Sequence, residues 1–549
     1  MKHLKFLTAF ILLISLFFSC TNNSSDNSIA GITSTELIIK KVPLFIDYNN
    51  QNAFAIKLNV SETEKPLSLQ SVELFLTKNS NAEIISSVTA HFETKIDEDV
   101  TREDFGTADK TGTITRIQGN RVLDEGEQTL WVNINVRDNA LLEKSFEIEK
   151  VRLTFGRREK ITIEPTEKFS YRPGIVLRAA GQDNCDTYRI PGIITTGKGT
   201  LIAVYDNRYN NSKDLQEDID VGISRSTDGG QTWEPMRVIM DMGEWGGRSE
   251  RLNGIGDPAV LYDHTTGTIW VAALWMSGAT EKDMLWWASK PGMSPEETGQ
   301  FILAKSTDDG LTWSEPINIT DQIKDPAWQL LLQGPGAGIT LDDGTLVFPA
   351  QFKADIGEKA LDGGQYTSHS TIVYSKDGGE TWHIGTGAKP NTTEAQVVQL
   401  SDGSLMLNMR DDRNRRVKDE TNGRAVAITT DLGKTWTMHP TSNSALQEPN
   451  CMASLIGTDL TIKGNKQRVL FFSNPNNKNS RTNMTIKASL DEGSTWPEDL
   501  QIELYSPAGF GYSCLTMVDE NHVGIVYEGV KELYFQKVPV SDLLKSALK

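Results

Sequence analysis

Short stretches in which apolar and polar residues alternate, each bounded by Gly, Asn, Asp or Pro, run through most of the chain beyond residue 32. Period-two alternation between turn formers predicts β-strands. In residues 33–165 the strands read as LFIDYNNQNAFAIKLNV, SVELFLTK, WVNINVRD and EKVRLTFG, with NN, QGN and DNA as breaks. A β-sandwich is the expected packing. EPTEKFSYRPG (164–174) reads as a join. From residue 175 to 549 the strands gain a recurring punctuation. STDGGQTW begins at Ser226, STDDGLTW at Ser306, SKDGGETW at Ser375, TTDLGKTW at Thr429 and SLDEGSTW at Ser489.

Each repeat follows a strand-like run (VGIS, FILAK, TIVY, AVAI or TIKA) and precedes polar sequence. Asp and Gly two positions apart suit a hairpin turn, in which the carboxylate accepts from turn amides and the glycine takes a positive φ. The tryptophan supplies an apolar plate against neighbouring strands. These are properties of scaffolding, not of chemistry. The intervals of 80, 69, 54 and 60 residues are too uneven for a solenoid but suit four-stranded blades with variable loops. Six blades of about 62 residues each would fill 175–549, five marked by repeats and one degenerate. The expected fold is all-β: a six-bladed β-propeller preceded by a β-sandwich.

Residues 1–20, MKHLKFLTAFILLISLFFSC, follow another rule. Lys2 and Lys5 precede a mostly apolar run from Phe6 to Phe18 that is too short to span a bilayer as a stable helix. This is an export segment. Ser19-Cys20 resembles a bacterial lipoprotein cleavage site, which would make Cys20 a lipidated N-terminus; ordinary signal cleavage is the alternative. Residues 21–32 read as a flexible polar linker. The expected location is the periplasm or outer membrane of a Gram-negative bacterium, or the medium outside it.

Composition narrows the partners. A net charge of -18 and a pI near 5.0 argue against nucleic acid or an anionic membrane surface. Membrane contact is expected only through a lipid anchor at Cys20, and the expected state is a monomer. Cys185, Cys451 and Cys514 are odd in number and irregularly spaced. Neither a disulfide framework nor a metal site is expected from them, although a single chance pair is compatible with the count. No cofactor is expected.

The motifs around the repeats resemble those of bacterial exo-sialidases. TYRIPGI (187–193) is similar to that family's arginine-isoleucine-proline motif, and YDNR, GDP, TEAQVVQLSDG, NMRD, NSRTN, GYSCLT and VYEG follow in order across 175–549. The resemblance implies a glycosidase acting on sialylated glycans. Arg189, Arg410 and Arg481 would clamp the sialic acid carboxylate, since a planar guanidinium matches a carboxylate bidentately and stays charged. Glu528 would orient the first arginine. That carboxylate also disfavours an anionic nucleophile at the anomeric carbon, and sialidases with a tyrosine nucleophile are an established exception to the two-carboxylate rule. Tyr512 matches the nucleophile and Glu394 the base that a phenol needs at neutral pH.

The acid/base lies in YDNRYNNSKDLQEDID, where chemistry alone singles out none of the acids. Close relatives place it five residues beyond the arginine of D-x-R. Here that position is Lys213, and a one-residue insertion makes it Asp214, with Asp218 as the alternative. Arg208 would shape this loop or touch the sugar, and Asp257 would cap the turn before Pro258 or touch substrate. LQGPGAGI (332–339) reads as a close-approach loop. Transfer to an acceptor or to the substrate's own hydroxyl, and non-catalytic glycan binding, are the alternative outcomes for the same site.

Overall fold

The computed structural model describes residues 29–548 apart from 97 and 98. The expected export segment 1–20 and most of the linker 21–32 lie outside the described residues. The upstream strands form two five-stranded sheets. One runs in the order Ile32–Ile39, Phe54–Val60, Gly126–Val136, Ile85–Ile96, Asp99–Ala108. The other runs Lys160–Ile163, Phe146–Phe155, Ser68–Leu76, Ile114–Val122, with Ser170–Tyr171 pairing beside Phe146–Phe155. The alternation written in the sequence is realised as burial: Leu130, Val132 and Ile134 point into a dry core with Val72, Leu74, Val151 and Leu153. This is the sandwich that period-two patterning predicts.

Six further sheets make the propeller. Five start from the strands Thr187–Thr195, Ile255–Tyr262, Leu330–Gln333, Thr392–Gln399 and Ser454–Ile462, each followed by antiparallel neighbours. The sixth is built from both ends of the propeller: Pro173–Arg178 pairs antiparallel with Leu533–Pro539, beside His522–Glu528 and Ser513–Asp519. The blade without a repeat is therefore the closing blade, and Leu44–Phe45 from the upstream region adds a parallel edge to it. First strands of neighbouring sheets pack side by side around the axis.

Every repeat sits at the turn after the third strand of its blade. In the first, Asp228 Oδ1 accepts from the Ser226 hydroxyl at 2.8 Å and the Thr232 amide at 2.9 Å, and Oδ2 accepts from the Thr232 hydroxyl at 2.6 Å. The same bonds recur at Asp308, Asp377, Asp431 and Asp491. The turn also grips the preceding blade. Trp233 meets Phe535 edge-on at 5.2 Å, and Trp382 meets Trp270 at 6.0 Å. Gly379 has φ +93°, and a Cβ there would stand 2.3 Å from Trp270 Cζ2. Gly379→Ala therefore combines a strained backbone with overpacking; we expect a loss of roughly 2–4 kcal/mol, read as a lower Tm. An unchanged Tm would remove the inter-blade role from this turn.

Candidate active site

At the hub, two innermost strands carry the same irregularity. Pairing of Thr187–Thr195 with its neighbour slips between Arg189 and Gly192, and pairing of Ile255–Tyr262 slips between Gly256 and Ala259. In each, the residue before a proline has positive φ: Ile190 at +56° and Asp257 at +56°. A β-branched residue in that region costs about 1–3 kcal/mol and persists only where its surroundings hold it. The holding groups are buried carboxylates. Glu528 Oε1 takes the Ile190 amide at 2.9 Å, and Asp206 Oδ1 takes the Asp257 amide at 2.8 Å. Each also grips an arginine: Glu528 Oε1 lies 3.1 Å from Arg189 Nε, and Asp206 Oδ2 lies 2.8 Å from Arg208 Nη2.

Glu528 does a third job. Its Oε2 accepts the Tyr512 amide at 2.9 Å, so one carboxylate, 1 % exposed, fixes both Arg189 and the backbone of Tyr512. Tyr512 precedes the strand Ser513–Asp519, and its ring stands with the Arg189 and Arg481 guanidinium carbons 5.1 and 5.5 Å from its centroid. The phenol hydroxyl donates to Glu394 Oε1 and receives Arg410 Nη1 at 3.0 Å. The same Arg410 nitrogen reaches Glu394 Oε2 at 2.6 Å, and Nη2 reaches Asn450 Oδ1 at 3.0 Å. Arg481 is aimed by the carbonyls of Phe510 and Asn450, at 2.8 and 3.3 Å.

Electrostatics divide the pair. Burial, with the Glu394 charge adding to it, holds the Tyr512 phenol well above its ordinary pKa despite Arg410 and Arg481. Burial also opposes ionisation of Glu394, but Arg410, the Tyr512 hydrogen bond and Arg481 outweigh it and keep that carboxyl below its usual range. At neutral pH the arrangement is a neutral phenol on an ionised carboxylate, as a nucleophile and its base require.

Asp214 meets this group from the loop after Leu201–Arg208. Its Oδ1 accepts Arg208 Nη1 at 2.8 Å and Arg189 Nη1 at 3.3 Å, while 56 % of its side chain is exposed. Partial desolvation by the cavity walls opposes its ionisation, but Arg208 and Arg189 outweigh this and hold its pKa below the ordinary value. Arg208 is 1 % exposed, and Asp206, the Ser212 carbonyl and Asp214 account for its contacts, so it shapes this loop. Burial, reinforced by the charges of Asp206 and Asp214, pushes the Asp257 carboxyl well above its ordinary pKa. Among the described residues no side-chain cap from Asp257 accompanies its turn; its amide is held by Asp206 instead.

These residues surround one cavity of about 340 Å3. Arg189, Asp214, Asp257, Glu394, Arg410, Arg481 and Tyr512 line it, whereas Arg208, Glu528 and Asp218 do not. Leu274, Leu285, Leu330, Leu332 and Trp286 give it an apolar wall. Pro335 of LQGPGAGI also lines it, and Gly336 brings its carbonyl so close to Gly192 that a Cβ there would stand 2.3 Å away. Sequence reasoning missed Asp206, Asn450 and the Met284–Trp287 wall. Asp206 was legible as the acid of YDNR; Asn450 and the wall carry no local signal. Cys185, Cys451 and Cys514 are buried free thiols.

Comparison with known proteins points the same way. The family model described as a BNR repeat-like domain matches residues 199–526. A sialidase of Bacteroides fragilis (strain YCH46) is 41% identical over 533 residues, covering 92% of this chain and 94% of its own. Among solved structures, a Hadza microbial sialidase superposes with a TM-score of 0.82 at 39% identity, over 93% of this chain and 100% of its own. The intramolecular trans-sialidase of Ruminococcus gnavus shares the fold alone, with a TM-score of 0.54 at 18% identity over 66% of this chain and 97% of its own. The chain belongs to the bacterial sialidase family, glycoside hydrolases of the exo-α-sialidase class.

Proposed function

We propose that this sialidase releases terminal sialic acid from glycoproteins, glycolipids and oligosaccharides with net retention, through a covalent intermediate on Tyr512. The observation that carries this reading is the Tyr512 hydroxyl, set between the Glu394 carboxylate and the Arg410 guanidinium beside two further arginines. In this mechanism Arg189, Arg410 and Arg481 hold the substrate carboxylate. Glu394 takes the phenol proton as the oxygen attacks the anomeric carbon, and Arg410 stabilises the phenolate character that develops. Asp214 gives its proton to the glycosidic oxygen as that bond breaks. It then takes a proton from water, which attacks the same carbon and frees the tyrosine, whose oxygen recovers its proton from Glu394.

Substrate binding itself would load Asp214 with its proton. Its oxygen shares Arg189 Nη1 with the incoming carboxylate, so binding weakens a stabilising cation and adds an anion. Both effects raise the carboxyl pKa. Asp257, which lines the cavity, would hydrogen-bond to a sugar hydroxyl. The segment 1–20 supports export, with Cys20 as a lipid anchor at the outer membrane, and the sandwich over 33–165 is read, by analogy of architecture, as a carbohydrate-binding module, with a purely structural or spacer role as the alternative.

Proton NMR of the first-formed sugar tests the stereochemistry. We expect the α-anomer of sialic acid, followed by mutarotation, and a fluorinated sialic acid trap recovered on the peptide containing Tyr512. A 2,7-anhydro product would move the enzyme to intramolecular transfer. The β-anomer appearing first, or the trap on another residue, would sink the tyrosyl intermediate.

A further inference from the structure

One arginine reaches the cavity outside the clamp. Arg415 ends the 3₁₀ turn Asp412–Arg415 that follows Arg410 by one residue, and it lines the same cavity. Its side chain is 44% exposed, where that of Arg410 is 12%. Arg415 therefore stands at the mouth, and Arg410 at the floor. Its Nε donates to Asp412 Oδ1 at 2.9 Å, and its two terminal nitrogens have no partner among the described residues.

The guanidinium is nevertheless aimed. Asp412 is buried, and its Oδ1 also accepts Asn450 Nδ2 at 3.3 Å. Asn450 in turn receives Arg410 through Oδ1. The contacts that set the clamp thus hold Arg415 as well. An arginine already fixed by one bond loses less freedom on binding than an unanchored surface side chain.

The mouth also has an apolar face. Met284 and Trp287 line the cavity and are 45% and 47% exposed. Trp287 is braced from behind: Lys353 Nζ lies 4.7 Å from its ring, and a Cβ on Gly364 would stand 3.1 Å from its Cζ3. Lys353 pairs with Asp362 at 3.7 Å, and Asp362 accepts Trp286 Nε1 at 3.1 Å. An exposed aromatic held this firmly does not serve the core; it offers a plane for stacking.

Buried Tyr512 and the largely covered Glu394 and Arg410, 16% and 12% exposed, close the floor, so the sugar that leaves does so past this mouth. We propose that Arg415 and Trp287 form a leaving-group subsite selecting glycans in which the sugar next to the terminal sialic acid carries a second anion. The anion is a carboxylate of another sialyl unit or a sulfate ester. Both present oxygens in the geometry that a guanidinium fork binds, and a sugar face stacks on the indole. The inference rests on the reading of the site as a glycosidase centre given above.

The test compares wild type with Arg415→Gln on four substrates. They are an α2,8-linked disialyl lactose, a 6-sulfated sialyllactose, plain sialyllactose and the 4-methylumbelliferyl α-sialoside. We expect kcat/KM to fall about tenfold on one or both of the substrates that carry a second anion and by less than about twofold on the two whose only charge is the terminal carboxylate. The wild-type preference should shrink as salt rises. A loss confined to the disialyl or to the sulfated compound identifies which anion is read. An equal loss on all four would place Arg415 against the terminal sialic acid and overturn the subsite, and so would no loss on any. Binding of the intact saccharides to Tyr512→Phe, with and without Arg415→Gln, reads the subsite apart from turnover. If the wild type turned over none of the four, the glycosidase reading would fail, and the binding comparison would still decide the subsite.

Discussion

Tyr512→Phe is expected to lower kcat/KM for sialyllactose by about 10²–10⁴-fold while the protein stays folded and still binds sialosides. The substitution removes one oxygen from a ring packed among Ile190, Cys451 and Met452, so no cavity of consequence is made. What is lost is the hydroxyl that Glu394 and Arg410 are arranged to hold. Arg410 and Glu394 remain paired with each other at 2.6 Å, and the carboxylate clamp keeps its charge. Binding measured by calorimetry should therefore survive, and turnover should not. Retention of turnover within tenfold would show that the phenol oxygen is dispensable and would return the nucleophile to water.

Asp214→Asn should separate substrates by their leaving groups. An amide cannot donate the proton that a sugar oxygen needs, so kcat/KM on sialyllactose is expected to fall by about 10²–10⁴-fold. Methylumbelliferone leaves as a stabilised anion, and for its sialoside the first step should change by less than about tenfold, with a burst as the undischarged intermediate accumulates. The pH profile carries the sign. In the free enzyme Arg208 and Arg189 depress the Asp214 pKa, and the first step needs the carboxyl protonated. Hence kcat/KM on sialyllactose should decline as pH rises through that low pKa, and the decline should vanish in Asp214→Asn. An equal loss on both substrates, with the pH limb intact, would assign the proton donor elsewhere.

The five repeats and the alternation between them were enough to expect six blades behind a sandwich, because turn chemistry and strand period are local. The composition of the closing blade was not legible: Pro173–Arg178 finds Leu533–Pro539 across nearly the whole propeller, and neither segment carries a mark of its partner. The site followed the same division. Arg189, Arg410, Arg481, Glu394 and Tyr512 were found through the motifs around them, and the structure brings all five to one cavity. The choice between Asp214 and Asp218 rested on a one-residue insertion, and only the folded loop places Asp214 against Arg208. Arg208 had two readings, loop shaping and sugar contact; the structure shows it buried, with bonds to Asp206, Asp214 and the Ser212 carbonyl. Asn450 and Asp412 were invisible because their importance is entirely in what they touch.

The bond between Arg189 and Glu528 joins residues 339 positions apart, and this sets when the enzyme can become active. At roughly 5–20 residues per second, synthesis needs about 20–70 s to travel from one to the other. Throughout that interval a growing polypeptide holds the first arginine of the clamp but neither the carboxylate that orients it nor Tyr512. Each molecule thus gains its geometry only after its last sheet has been made, and a prematurely terminated copy is silent rather than partly active.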